Sequence, residues 1–164
     1  MDESFDLADI QDATGITVQR LRYVLDQGLL PGGSGPSWRR GRGSPRVFTA
    51  FSAFGVACAA LLLRAGLRLS VIKHCMEIVC SYSGERREVT EIPLYQAFQQ
   101  RSTAHLEVGD GNFIRLQGSE DYMRRPLSFG WIDISKRDQA EMYEPLVTVR
   151  IDVARLRRLM EKRR

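Results

Sequence analysis

Thr14-Gly15-Ile16-Thr17-Val18-Gln19-Arg20-Leu21-Arg22-Tyr23 is the stretch from which the rest of the chain is read. Gly15 can take the left-handed backbone conformation that other residues resist, so it ends one helix. Thr17 is a good N-cap for the next, since its hydroxyl can accept from the free amides of a first turn. In that second helix Leu21, Val24 and Leu25 recur at helical spacing and point inward, which leaves Gln19, Arg20, Arg22 and Tyr23 outside. The pattern predicts two short helices joined by a tight turn, the second with a polar, basic outer face.

Working outward, Met1 to Phe5 reads as a frayed acidic tail. The first helix starts near Asp6, with Asp9 favourably placed in its first turn and Leu7, Ile10 and Ala13 on one face. Gly28 closes the second helix. From Pro31 to Pro45 the chain is Gly, Ser, Pro and Arg around a single Trp38, which is the chemistry of a flexible basic loop. Arg46-Val47-Phe48 reads as a short strand returning from it. Thr49 then caps a strongly apolar helix to about Ala65, with Phe51, Phe54, Cys58, Leu61 and Leu62 at helical spacing, and Gly66 stops it. Leu69, Ile72, Met76 and Val79 mark a further amphipathic helix that ends near Ser83-Gly84.

Beyond Gly84 the character changes. Glu85 to Thr90 is charged, Pro93 forbids one helix from running through, and Leu94 to Gln100 makes two turns at most. We therefore expect two units, residues 1–84 and residues 85–164. In the second, His105 to Val108 and Phe113 to Leu116 form a β-hairpin across Gly109-Asp110-Gly111-Asn112, and Phe129 to Ile134 and Leu146 to Ile151 are further strands. Asp152 caps a last helix, Ala154 to Arg164, whose Leu156, Leu159 and Met160 continue an apolar stripe from Val153. That stripe has two readings, packing on its own sheet or on a second subunit, while its bases could touch DNA.

The totals set bounds on function. The chain has 164 residues, 43% hydrophobic and 27% charged, with a net charge of +4, which describes a soluble, globular protein. Charge is unevenly placed: the first dozen residues hold five acids and no base, whereas Arg20 is followed by five arginines up to Arg46. That asymmetry favours a polyanionic partner. Cys58, Cys75 and Cys80 lie in apolar or helical runs with no signal-like segment before them, which fits reduced thiols in a cytoplasm. Cys75 and Cys80 fall on different helix faces, so they make no metal site, and buried inert thiols are expected. His74 and His105 read as surface or strand-flanking residues. No cofactor is called for, no acid–base pair or nucleophile arrangement suggests an enzyme, and the run Ala57 to Leu63 falls far short of the roughly 20 residues that span a bilayer.

Several motifs in register carry a family resemblance. Gly15 to Tyr23 followed by Gly28-Leu29-Leu30-Pro31, then Arg46-Val47-Phe48-Thr49, Ala65-Gly66-Leu67-Arg68-Leu69 and Ile72-Lys73, together resemble the MerR family of bacterial transcription regulators over residues 6 to 80. The resemblance implies a mostly helical, winged helix-turn-helix domain over that span; with the strands and last helix read from the residues beyond it, the expected chain is α+β, this domain preceding a small α/β annex with a short antiparallel sheet and a C-terminal helix. The wing loop here is longer than the family's and richer in Gly and Arg. Val24 stands where the family commonly has a second Tyr, and Arg68 where a small residue is usual. Glu85 to Pro93 does not read as the family's long dimerising helix.

The expected DNA-contacting set is Thr17, Gln19, Arg20, Arg22 and Tyr23 with Arg39, Arg40, Arg42 and Arg46 from the wing. Gln and Arg suit base edges in a major groove, so Gln19 and Arg20 are the base readers. Arg22 and Tyr23 either hold phosphates or merely cover the helix surface. The wing arginines, among glycines, can approach a sugar–phosphate chain closely. Trp38 either anchors the wing or stacks near the backbone. The expected function is a sequence-specific regulator of transcription, bound to double-stranded DNA as a homodimer in the cytoplasm at the nucleoid. The annex would then dimerise or bind a small-molecule or protein effector. Two other readings are an architectural or recombination-type DNA protein and an interaction module whose DNA-binding domain is secondary.

Overall fold

Asp6 organises the start of the chain in the computed structural model, which describes residues 4–29, 47–80, 104–118 and 129–161. Its carboxylate accepts from the amides of Ala8 and Asp9 at 2.8 and 2.9 Å, and Asp9 returns the bond to the Asp6 amide at 2.9 Å. This reciprocal box satisfies first-turn donors that have no partner within the helix. Ahead of it lies β1 (Ser4–Phe5) and after it α1 (Leu7–Thr14). The expected frayed tail is corrected here: Ser4 and Phe5 pair antiparallel with Thr49 and Phe48 of β2 (Phe48–Thr49), and both phenylalanines are buried. Two residues carry no alternation to read, so only the distant partner defines this strand.

Between these two strands in sequence runs α2 (Val18–Asp26), and after them come α3 (Ala50–Arg64) and α4 (Leu69–Cys80). Thr49 caps α3, its hydroxyl accepting from the Ser52 amide at 3.2 Å. Every residue from Ala53 to Ala60 is buried, because α3 is apolar around its whole circumference. It packs against α1, α2, α4, β1 and β2, and reaches the last strand of the larger sheet.

The second sheet contains β3 (Ala104–Gly109), β4 (Phe113–Gly118), β5 (Phe129–Asp133) and β6 (Thr148–Asp152) in the order β5-β4-β3-β6, all antiparallel. Asp110 and Gly111 turn the first hairpin with positive φ values of 49° and 70°. The last helix, α5 (Val153–Glu161), follows β6 directly, and Asp152 caps it through the Arg155 amide at 2.8 Å. Its buried face, Val153, Leu156 and Met160, packs on β3 and β6 and also on α1. Among the described residues the protein is thus a mixed α+β structure of five helices and two small antiparallel sheets, with helices and large sheet sharing one buried cluster. The expected turns between Leu94 and Gln100 lie outside the described residues.

Leu106 and Val108 face that core, so the strand alternation turns Glu107 to the opposite side of the sheet. Glu107 is nevertheless fully buried. Its direct cross-strand neighbours are Arg115 on β4 and Arg150 on β6, and both guanidinium groups donate to its carboxylate, Arg150 Nε at 2.7 Å. Arg115 in turn lies 4.5 Å over the Trp131 ring on β5, so one row of side chains crosses all four strands. Burial pushes the Glu107 carboxyl up, but the two arginines more than offset this and hold it below the ordinary carboxylate range.

A group whose pKa is lowered by folding stabilises the fold above its unfolded value, and that contribution disappears as pH falls through the folded value. Glu107→Gln should therefore cost about 2 kcal/mol at neutral pH, since it replaces two charge-assisted bonds at a buried site. The difference between wild type and variant in thermal melts should shrink steadily once the pH falls below the ordinary carboxylate range.

Candidate nucleic-acid interface

The turn between α1 and α2 is held by bonds that converge on a few residues. Gly15 adopts φ 71° and ψ 11°, and its amide donates to the Gln11 carbonyl at 2.7 Å. The Thr14 hydroxyl donates to the Ile10 carbonyl at 2.7 Å and accepts from the Ile16 amide at 3.2 Å. Gln11 reaches across the turn to take the Val18 amide at 2.8 Å, adding to the cap of α2. From α3, Arg64 Nη1 donates to the Thr14 carbonyl at 2.8 Å, which ties the turn to the central helix.

This framework sets how α2 is presented. Leu21, Val24 and Leu25 are buried against the core, and Gln19, Arg20, Arg22 and Tyr23 are all exposed. Gln19 and Tyr23 stand one turn apart on the same stripe, with Arg20 and Arg22 to either side. Thr17 is exposed too, but its oxygen is the N-cap, accepting from the Arg20 amide at 3.4 Å. Its first task is therefore structural, though its hydroxyl proton and second lone pair remain for a ligand. Asp26 shares the outer surface of the helix near its C-terminal end.

Five of the nine expected contact residues are thus brought onto one helix; Arg39, Arg40, Arg42 and Arg46, with Trp38, lie outside the described residues. The sequence reading missed Arg64. Arg64, which follows the apolar run Ala57 to Leu63, was not among the expected contacts, yet its side chain lines a groove of about 580 Å³ with Thr17, Gln19, Arg20 and Tyr23. The available signal was a single cation at the end of an otherwise apolar helix. The N-terminal end of α2 adds the positive end of its dipole, so the surface from Thr17 to Tyr23, with Arg64 behind it, favours anions.

Other residues considered for chemistry fall elsewhere. Cys58 and Cys75 are buried, and burial pushes the Cys75 thiol up to about 12, so it stays protonated at neutral pH. His74 is exposed on α4, and His105 is half-buried on β3 opposite Gln117 and Asp152. Among the described residues no three His, Cys, Asp or Glu side chains come together as a metal site, and no helix is long and apolar enough to cross a membrane. Compared with family models, with characterised proteins and with solved structures, the chain matches none.

A Cβ built on Gly15 meets only Arg64 Nη1, at 3.9 Å, so the requirement for glycine comes from its backbone conformation and not from lack of space. Gly15→Ala should destabilise the protein by about 1 kcal/mol, and Gly15→Asn by less, because Asn tolerates the left-handed region better. Denaturant titration of the two variants checks the order.

Proposed function

We propose that the protein is a sequence-specific, DNA-binding transcription regulator of the MerR type, in which α2 enters the major groove and the basic segment around Arg39, Arg40, Arg42 and Arg46 follows the phosphates. The observation that supports this best is the joint exposure of Gln19, Arg20, Arg22 and Tyr23 on a helix whose other face is locked onto α3. A reading helix has to be rigid as well as exposed, since base recognition depends on hydrogen bonds of fixed direction. Arg20 can span guanine O6 and N7, and Gln19 can pair with adenine N6 and N7. Arg22 and Tyr23, flanking them, contact phosphates and set the register.

A helix of nine residues reads few base pairs, so the active species is a homodimer on two half-sites. The large sheet and α5 supply dimerisation or the binding of an effector or partner protein. The site of action is the nucleoid in the cytoplasm.

Selection from a random DNA pool, followed by titration, tests the reading. Arg20→Ala and Gln19→Ala should each cost about 1–3 kcal/mol on the selected site and relax preference at one position. Arg22→Ala, Arg39→Ala and Arg40→Ala should instead weaken binding to all sequences and reduce the salt slope by about one each. Uniform weak binding of the wild type to every sequence would rule the reading out, and a strong bend without sequence preference would point to an architectural protein.

A further inference from the structure

β6 is an outer strand of the large sheet, with no strand beyond it among the described residues. A groove of about 560 Å³ runs beside it towards the ends of α1 and α3. Unpaired edges are templates for pairing, and this one is flanked by two unusual surfaces. Before it, Met142, Leu146 and Val147 are 94, 95 and 66% exposed. After it, α5 shows Leu159, 39% exposed, beside Arg155, with Arg158 farther round its outer surface.

The connection ahead of β6 is a fixed knuckle. The Asp110 carboxylate accepts from the Tyr143 hydroxyl and from the Leu146 and Val147 amides, the latter at 2.9 Å, while the Asp110 amide donates to the Val147 carbonyl at 2.8 Å. Tyr143 also stacks on Phe113 at 3.7 Å and stands edge-on to Trp131. Gly109 makes room for this, since a Cβ there would come within 2.8 Å of the Tyr143 oxygen. These bonds fix the backbone that carries Leu146 and Val147, so binding there orders side chains and not the chain itself.

The two surfaces complement each other in charge. From residue 138 to 147 the chain carries Asp138, Glu141 and Glu144 and no base, and all three are exposed. The outer surface of α5 carries Arg155 and Arg158, which form no ion pair among the described residues, whereas Arg157 is engaged by Glu161. An acidic, apolar knuckle and a basic, apolar helix face thus lie at opposite ends of one edge strand.

We propose that this surface binds a second copy of the same chain, with the two β6 edges antiparallel about a two-fold axis near mid-strand. That operation carries the knuckle of each copy to the α5 of the other, so both complementary contacts form at once, as an isologous interface requires. The arrangement names the dimer surface for the proposed regulator. Its test uses no DNA, so failure here and failure of DNA reading are separate results.

Sedimentation equilibrium of the full chain should give twice the 18.6 kDa chain mass. Leu146→Asp, Met142→Lys and Arg155→Glu should each raise the dissociation constant by about tenfold or more. Their side chains are exposed, so thermal melts should remain close to wild type, and any variant that fails to fold leaves the other two to decide. Combining Glu144→Arg with Arg155→Glu should restore affinity towards wild type. A wild-type monomer at all concentrations, or a dimer that none of the substitutions weakens, overturns the surface; a charge exchange that restores nothing overturns the antiparallel arrangement.

Discussion

A helix with no polar side can be stable in water only if other elements surround it, and α3 imposes that condition on the whole structure. From Ala53 to Ala60 no residue of it is exposed, and Leu62 is buried as well. α1 and α2 cover one flank, α4 another, and the small ribbon of β1 and β2 lies near its beginning. The small residues Ala57, Cys58, Ala59 and Ala60 keep the helix thin enough for several neighbours to approach closely. Replacing water by these neighbours is the main favourable term in folding, and it scales with the apolar area removed.

The same constraint explains how the outer face of α2 is oriented. Leu21 and Val24 have no exposure, so the helix cannot roll on α3 without bringing apolar groups into water. Arg64 adds a directional restraint to this non-directional packing, because its bond to the Thr14 carbonyl holds the α1–α2 turn at the far end of α3. Packing and one charged hydrogen bond therefore decide together which side chains of α2 face outward.

Local chemistry was legible in the sequence; long-range chemistry was much less so. Asp6, Thr17, Thr49 and Asp152 act as caps within three residues of themselves, and each was readable from its own neighbourhood. Gly15 and the Asp110-Gly111 turn announced themselves through backbone preference. By contrast, β1 depends on a partner more than forty residues away, and the hold of α5 on α1 joins the two ends of the described chain. Glu107 lies between: the hairpin register already set it opposite Arg115, but Arg150 joins only through the later strand. On α2 the exposed set followed from helical period, whereas Arg64 could be found only by knowing which residue its helix end meets.

The contact of α5 with α1 has a consequence for how the molecule is made. Synthesis runs from the N-terminus, so α1 leaves the ribosome and waits through the production of residues 15 to 152 before α5 can cover it. Through that interval the main neighbours of α1 among the described elements are α2 and α3, and the finished surface around Ala13 and Thr14 does not yet exist. Contacts of such sequence separation are costly to close, which slows the last stage of folding. The first helix of the chain is thus completed by the last, and a nascent chain stalled inside the large sheet would carry its basic helix on an unfinished support.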